Sequence, residues 1–230
     1  YIGDTNILKD KSYCENSYNG VKVFSFNREK PYKYYLPPED LSYEGRKACF
    51  EQAINEGATT IVASGFDQTE IIRESARANP NIKYIFVDGD AFGVHNVVNI
   101  TFKEEESGFM AGYTLVKEGY RSLGFTGGGE GVNPSVNRYF YGYIQGIVAA
   151  AKDVGEKIDL RYTFYPGYEN SDELTEECIE WYEKGTEVIF ACGGTMVLSV
   201  RDAAEKFENK YLVGVDCDQS YLSDRVITSA

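Results

Sequence analysis

The sequence is poor in histidine, with only His95 in 230 residues. That imidazole falls in a turn before a predicted strand, and there is no GxSxG stretch, so a Ser/His/Asp relay has nothing to build on. Cysteine is also sparse. Cys14, Cys49, Cys178, Cys192 and Cys217 show no CxxC and no zinc spacing. Their odd number leaves at least one thiol unpaired, and they read as small buried hydrophobes. In an exported protein, free thiols point to an oxygen-poor habitat. Positive charge is scarce too: 23 Lys and Arg stand against 36 Asp and Glu, for a net charge of −13. No basic cluster interrupts that field, which repels phosphate backbones and argues against nucleic acid as a partner. No run approaches the ~18 apolar residues of a membrane span. There is neither an initiator Met nor a signal peptide, and the chain opens directly on a strand-like stretch, "YIGDTNI". This is the expectation for a processed or trimmed N-terminus.

What is present is an ordinary globular composition, 43% hydrophobic and 26% charged, enough for one large domain or two small lobes. Tyrosine is abundant, at 19, beside 13 Phe. Its ring suits surfaces that are partly apolar and partly wet, ligand clefts included. The rhythm along the chain is strand then helix. Strands are expected at 32–36, 59–66, 82–89 and 96–102, with helices at 40–57, 68–80 and 104–119. The pattern then restarts, with strands at 122–129, 159–167, 186–194, 211–218 and 225–230 and helices at 134–155, 171–185 and 195–207. Ser171 reads as an N-cap, with Leu174, Cys178 and Trp181 or Tyr182 on the inner face of its helix. This alternation, with mostly continuous apolar strands, predicts an α/β fold of parallel sheets covered by helices. Two successive sets of units predict two lobes, with the change near residues 100–104.

In such sheets ligands sit beyond the carboxyl ends of the strands. The stretches there are "SGFDQ", "VDGD", "GGGEG", "PGYEN", "CGGT" and "VDCDQ", together with Asp4 and the loop after it. They are rich in Gly, Asp and aromatics. "TGGGEG" lacks the GK[ST] of a phosphate loop and is not a clean GxGxxG, so a tight strand-to-helix turn explains its glycines. "DGD" alone is weak as a metal site. No motif calls for a cofactor or a metal. Paired carboxylates at strand ends serve either acid–base work or the gripping of ligand hydroxyls and ring N–H groups, since an ionised Asp only accepts. The neighbouring aromatics favour gripping. Asp10 and Ser12 are placed to cap a helix that follows them.

Several segments together carry a family resemblance. "DTNILKDKSYCENSYNG" (4–20) resembles the opening signature of the basic membrane protein family, nucleoside-binding lipoproteins of ABC transporters also called purine nucleoside receptors. "SGFDQTEIIRESARANPNIKYIFVDG" (64–89), "FKEEESGFMAGY" (102–113), "LGFTGGGEGVNPSVNRYFYGYIQG" (123–146) and the stretch from "VIFACGG" to "VGVDCDQ" (188–219) follow in family order. The resemblance spans nearly the whole chain.

The resemblance implies a type I periplasmic-binding-protein fold: two lobes, each a parallel sheet flanked by helices, with a ligand cleft between them. Residues 1–102 would form the first part of the N-terminal lobe, 103–215 the second lobe, and 216–230 a crossover returning to the first lobe. The family pattern continues past Ala230, where it has a ribose-gripping lysine. The implied activity is not enzymatic. It is extracytoplasmic binding of a nucleoside, a purine one in the first instance, by hinge closure, in a lipid-anchored monomer that delivers its ligand to an ABC permease. Tyr13 and Tyr168 would sandwich the base and Phe66 would line the first-lobe wall. Asp4 and Asp88 would accept from base N–H groups, and Asp216 with Gly193 and Gly194 would hold the ribose. Each has an ordinary alternative: Tyr13 as core, Asp88 as a helix cap, the glycine pair as a plain turn. Where the family has Phe then Asn, this chain has Tyr13 and Cys14. A thiol lacks an amide's paired donor and acceptor, so the departure bears on which base is taken. Other readings are a ligand-sensing domain of a regulator, a receptor for a sugar or other small metabolite, and a nucleoside-processing enzyme.

Overall fold

The computed structural model describes residues 1–230. The chain divides into two compact units, Tyr1–Phe102 and Lys103–Ala230.

In the first unit, helix α1 (Tyr13–Arg28) is followed by α2 (Tyr43–Asn55), β1 (Thr60–Ser64), α3 (Thr69–Ala78), β2 (Lys83–Val87) and β3 (Val97–Ile100). The strands pair in parallel in the order β1-β2-β3. The opening residues extend this sheet, since Ile2 bridges Ala63 on one side and Tyr35 on the other, both in parallel. The segment 32–36, expected as a strand, is reduced to that single bridge at Tyr35. It lies at the sheet margin, with Tyr32 and Tyr34 exposed, and Pro37 and Pro38 supply no N–H to continue a ladder. Ile2, Phe50, Ile61, Ile72, Tyr84 and Phe86 form the core.

The start of α1 differs in detail from expectation. Asp10 is the cap: its Oδ1 accepts from the backbone N–H of Ser12 and of Glu15, each at 3.0 Å, and its Oδ2 from Cys14 at 3.3 Å. Ser12 takes the N-cap backbone position, but its hydroxyl caps no helix amide.

The second unit contains α4 (Glu104–Lys117), β4 (Ser122–Gly127), α5 (Pro134–Val154), β5 (Asp159–Phe164), α6 (Asp172–Glu183), β6 (Val188–Cys192), α7 (Met196–Ala204), β7 (Tyr211–Gly214) and β8 (Val226–Ser229). Its five strands are parallel, in the order β5-β4-β6-β7-β8. Alternation along β6 shows why both faces are apolar. Val188, Phe190 and Cys192 join one core with Leu115, Phe125 and Tyr143, while Ile189 and Ala191 join the other with Leu174, Cys178 and Met196. Ser171 caps α6 as expected, accepting from the Leu174 N–H at 3.1 Å.

Residues 216–230 lie within the second unit. Val226–Ser229 form β8, the edge strand beside β7, with Val226 buried in the second core. Gln219 ties the turn down: its side-chain carbonyl accepts from the Val215 N–H at 2.9 Å, while its backbone N–H donates to Ser229 Oγ at 3.1 Å.

Helices α4 and α5 meet through glycines spaced four apart, Gly108 and Gly112 against Gly142 and Gly146. A Cβ on Gly142 would fall 2.1 Å from the Glu105 carbonyl oxygen, and one on Gly146 the same distance from that of Phe109. Gly20, inside α1, has nothing within 4 Å of such a Cβ. The two sites therefore respond with opposite sign to the same change. Gly142→Ala should destabilise the second unit by about 1–3 kcal/mol through overpacking. Gly20→Ala should stabilise the first by about 0.5–1 kcal/mol through helix propensity. Urea unfolding of the two variants checks both signs.

Candidate functional site

Because all strands of each sheet run the same way, their carboxyl ends share one edge. In the first unit that edge carries Asp4 after the opening strand, Phe66 after β1 and Asp88 after β2. Tyr13 is the first residue of α1.

Asp4 is buried, at 5% exposure. Its Oδ2 accepts only a long hydrogen bond from the Tyr13 hydroxyl, at 3.5 Å, and its Oδ1 has no hydrogen-bond donor. The nearest cation is Arg46 on α2, whose Nε lies 3.5 Å from Oδ1 but donates to the Asp4 main-chain oxygen at 3.1 Å. The same guanidinium also reaches Asp67 Oδ2 at 3.5 Å. One arginine is thus shared, and the charge of Asp88 adds to that of Asp67. Burial pushes the Asp4 carboxyl up to about 7; Arg46 pulls it down, and Asp67 and Asp88 push it up. The backbone is arranged around this group. Gly65 has φ +103°, and a Cβ there would lie 2.2 Å from Asp4 Cγ, so only glycine fits the turn.

Tyr13 is half-buried rather than core, and burial holds its phenol well above the usual range. Phe66 is half-buried at the head of the turn after Gly65. Asp88 does not open a helix, since the next regular element is β3. Its backbone is left-handed, φ +60°, and its N–H donates to Ile100 at the end of β3. Cys14 turns its thiol into the core, 3.5 Å from Ser64 Oγ, and burial raises it.

In the second unit the corresponding edge carries the Gly127–Gly129 turn, Tyr168, Gly193, Gly194 and Asp216. Tyr168 is wedged between the turns after β4 and β6. A Cβ on Gly128 would come within 2.3 Å of its ring and one on Gly193 within 3.2 Å. Gly194 faces its main chain, where a Cβ would meet the Tyr168 carbonyl oxygen at 2.7 Å. The glycine pair is therefore the seat of an aromatic ring as well as a turn. Asn133 donates to the Tyr168 hydroxyl at 2.8 Å while its carbonyl caps α5 through Ser135 and Val136. Asp216 is exposed after β7 and also left-handed, φ +66°. Its N–H donates to the Ala230 carbonyl at 2.9 Å, and Tyr139 donates to its Oδ1 at 3.4 Å. Asp88 and Asp216 thus repeat one device: an acid in strained backbone, just past a strand, pinned to the end of its neighbour.

Arg46 and Asn133 were not foreseen as site residues. Asn133 carried a signal, an Asn directly before Pro134 at a helix start. Arg46 carried none, because only the folded unit brings α2 beside Asp4.

Two parallel α/β units with polar and aromatic residues collected at the strand ends are the layout of a solute-binding protein. Residues 3–230 match the family model Bmp, described as ABC transporter substrate-binding protein PnrA-like, and the chain belongs to that family. Basic membrane protein A2 of Borrelia garinii subsp. bavariensis is 29% identical, covering 96% of this chain and 64% of its own length. The ABC transporter nucleoside-binding protein BmpA of Lactococcus lactis subsp. cremoris is 24% identical over the same shares. The chain thus spans just under two thirds of these relatives. An ABC transporter solute-binding protein from Aeropyrum pernix K1 superposes with a TM-score of 0.86 at 18% identity, over 99% of this chain and 65% of that one. The fold is accordingly the type I periplasmic-binding-protein fold expected from the sequence.

The buried carboxyl makes a pH-dependent stability prediction. A folded-state value raised to about 7 means the folded chain keeps a proton that the unfolded chain releases near pH ~3.9. Stability from that proton is full below the unfolded value and is lost as pH rises through about 7. Asp4→Asn should therefore stabilise the first unit more at pH 8 than at pH 5, by about 1–3 kcal/mol. Urea unfolding of both proteins at the two pH values checks it.

Proposed function

We propose that this chain is the solute-binding part of an ABC importer that takes a nucleoside, a purine one in the first instance. The observation that carries this reading is Asp4: a buried carboxyl oxygen without a donor, beside a half-buried tyrosine, at the edge where such sheets bind ligands. A base with ring N–H groups supplies the donor that Asp4 Oδ1 lacks, and Asp88 accepts from the same edge. Tyr13 and Tyr168 offer ring faces for stacking, and Phe66 extends the apolar wall. Asp216 with Gly193 and Gly194 accepts and frames the ribose hydroxyls. A ligand held by both sets of residues shifts the protein toward its closed, bound form, which the permease then recognises. No bond is made or broken. In this reading the protein acts outside the cytoplasm, on a lipid anchor, as a monomer. The named nucleoside binder of Lactococcus lactis supports the ligand class.

Thermal unfolding with inosine, guanosine, adenosine and cytidine, against ribose and galactose, tests the reading. Nucleoside at 100 times its dissociation constant adds about 2.7 kcal/mol, a rise of roughly 5–11 °C for a chain of this size. Purine nucleosides should give it and the sugars should not; a melting point indifferent to every nucleoside contradicts the assignment. Tyr13→Ala and Tyr168→Ala should each weaken guanosine binding by about 1–3 kcal/mol, the worth of one stacked face, which calorimetric titration reads directly.

A further inference from the structure

The surroundings of Asp4 point past binding to specificity. Facing it are Tyr13 and Cys14 of α1, Arg46 of α2, Asp67 from the turn after β1 and Asp88 after β2. The phenol and the thiol are both pushed upward by burial, so neither ionises near neutrality. Arg46 cannot neutralise Asp4 alone, because it is committed to the Asp4 main chain and to Asp67. Oδ1 lies 3.5 Å from Arg46 Nε yet receives no hydrogen bond, and so keeps an acceptor site that a ligand N–H could fill. A carboxylate there only accepts, whereas a carboxylic acid also donates.

We propose that Asp4 switches the preferred base edge with pH: as the carboxylate it selects 6-oxopurine nucleosides, whose ring N1 carries a hydrogen, and as the neutral acid it selects 6-aminopurine nucleosides, whose N1 is a bare acceptor. This rests on the nucleoside-receptor reading above. The geometry makes the choice sharp, because a buried mismatch, acceptor against acceptor or donor against donor, leaves both groups unpaired. The carboxyl lies packed against the Gly65 backbone, buried in the turn after β1. The value of about 7 puts the change of form within the working range of the protein.

The test is calorimetric titration of the protein with guanosine and with adenosine from pH 5.5 to 8. Guanosine should bind about 30-fold more tightly at the upper end and adenosine about 10-fold more weakly, from the fraction of Asp4 in each form. Asp4→Asn should flatten both profiles. Asp67→Asn, which removes one neighbouring negative charge, should move both midpoints to lower pH and keep the opposite slopes. Carbon-13 NMR of the unliganded protein, with the Asp4 carboxyl assigned by its loss in Asp4→Asn, should show a midpoint near neutrality; one in the ordinary carboxylate range overturns the inference without any ligand. Measurable binding with flat profiles overturns the inference and leaves the receptor reading intact. Failure of both nucleosides to bind at every pH overturns the receptor reading and this inference with it.

Discussion

A carboxyl group taken out of water must be repaid with hydrogen bonds or a dedicated counter-charge, and Asp4 receives neither in full. That constraint organises the first unit's ligand edge. Gly65 gives up its side chain so that the carboxyl can lie against the turn. Arg46 is drawn in from α2 as a shared partner. Asp10, by contrast, is also buried yet accepts three backbone N–H bonds, and serves as an ordinary cap. The two acids lie close in sequence, and their partners separate a fully capped carboxyl from one short of donors.

The second unit repeats the logic with an aromatic ring in place of the buried acid. Tyr168 stands where β5 ends, and the glycine turns after β4 and β6 make room for it. The glycines expected to make a tight strand-to-helix turn also form the wall behind a tyrosine. The same economy of side chains packs α4 onto α5, where carbonyl oxygens fill the places of missing Cβ atoms. In both cases a backbone approaches closely because a side chain is absent.

Much of this was legible in the sequence. The strand–helix alternation located the regular elements of both sheets, and the rule that ligands meet strand ends singled out Asp4, Phe66, Asp88, Tyr168 and Asp216 as positions of interest. Family motifs then gave them expected roles. What escaped was tertiary. Tyr32–Leu36 has the β-rich composition of a strand, but it pairs only at the sheet margin and shrinks to one bridge. "RVITSA" reads as a strand either way, and nothing local says which sheet receives it. Helix α1 leaves Val23, Phe24 and Phe26 exposed, so no amphipathic stripe marks its length in advance. The Arg46 contact spans 42 residues and has no local signature.

The central claim is the proposal that the donor-poor carboxyl of Asp4, beside Tyr13, takes the ring N–H of a nucleoside base. A crystal structure of the protein with guanosine tests it most directly. The account predicts the base stacked on Tyr13, with its N1–H within hydrogen-bond distance of the Asp4 carboxylate. Guanosine bound elsewhere, with Asp4 Oδ1 still lacking a donor, would contradict it.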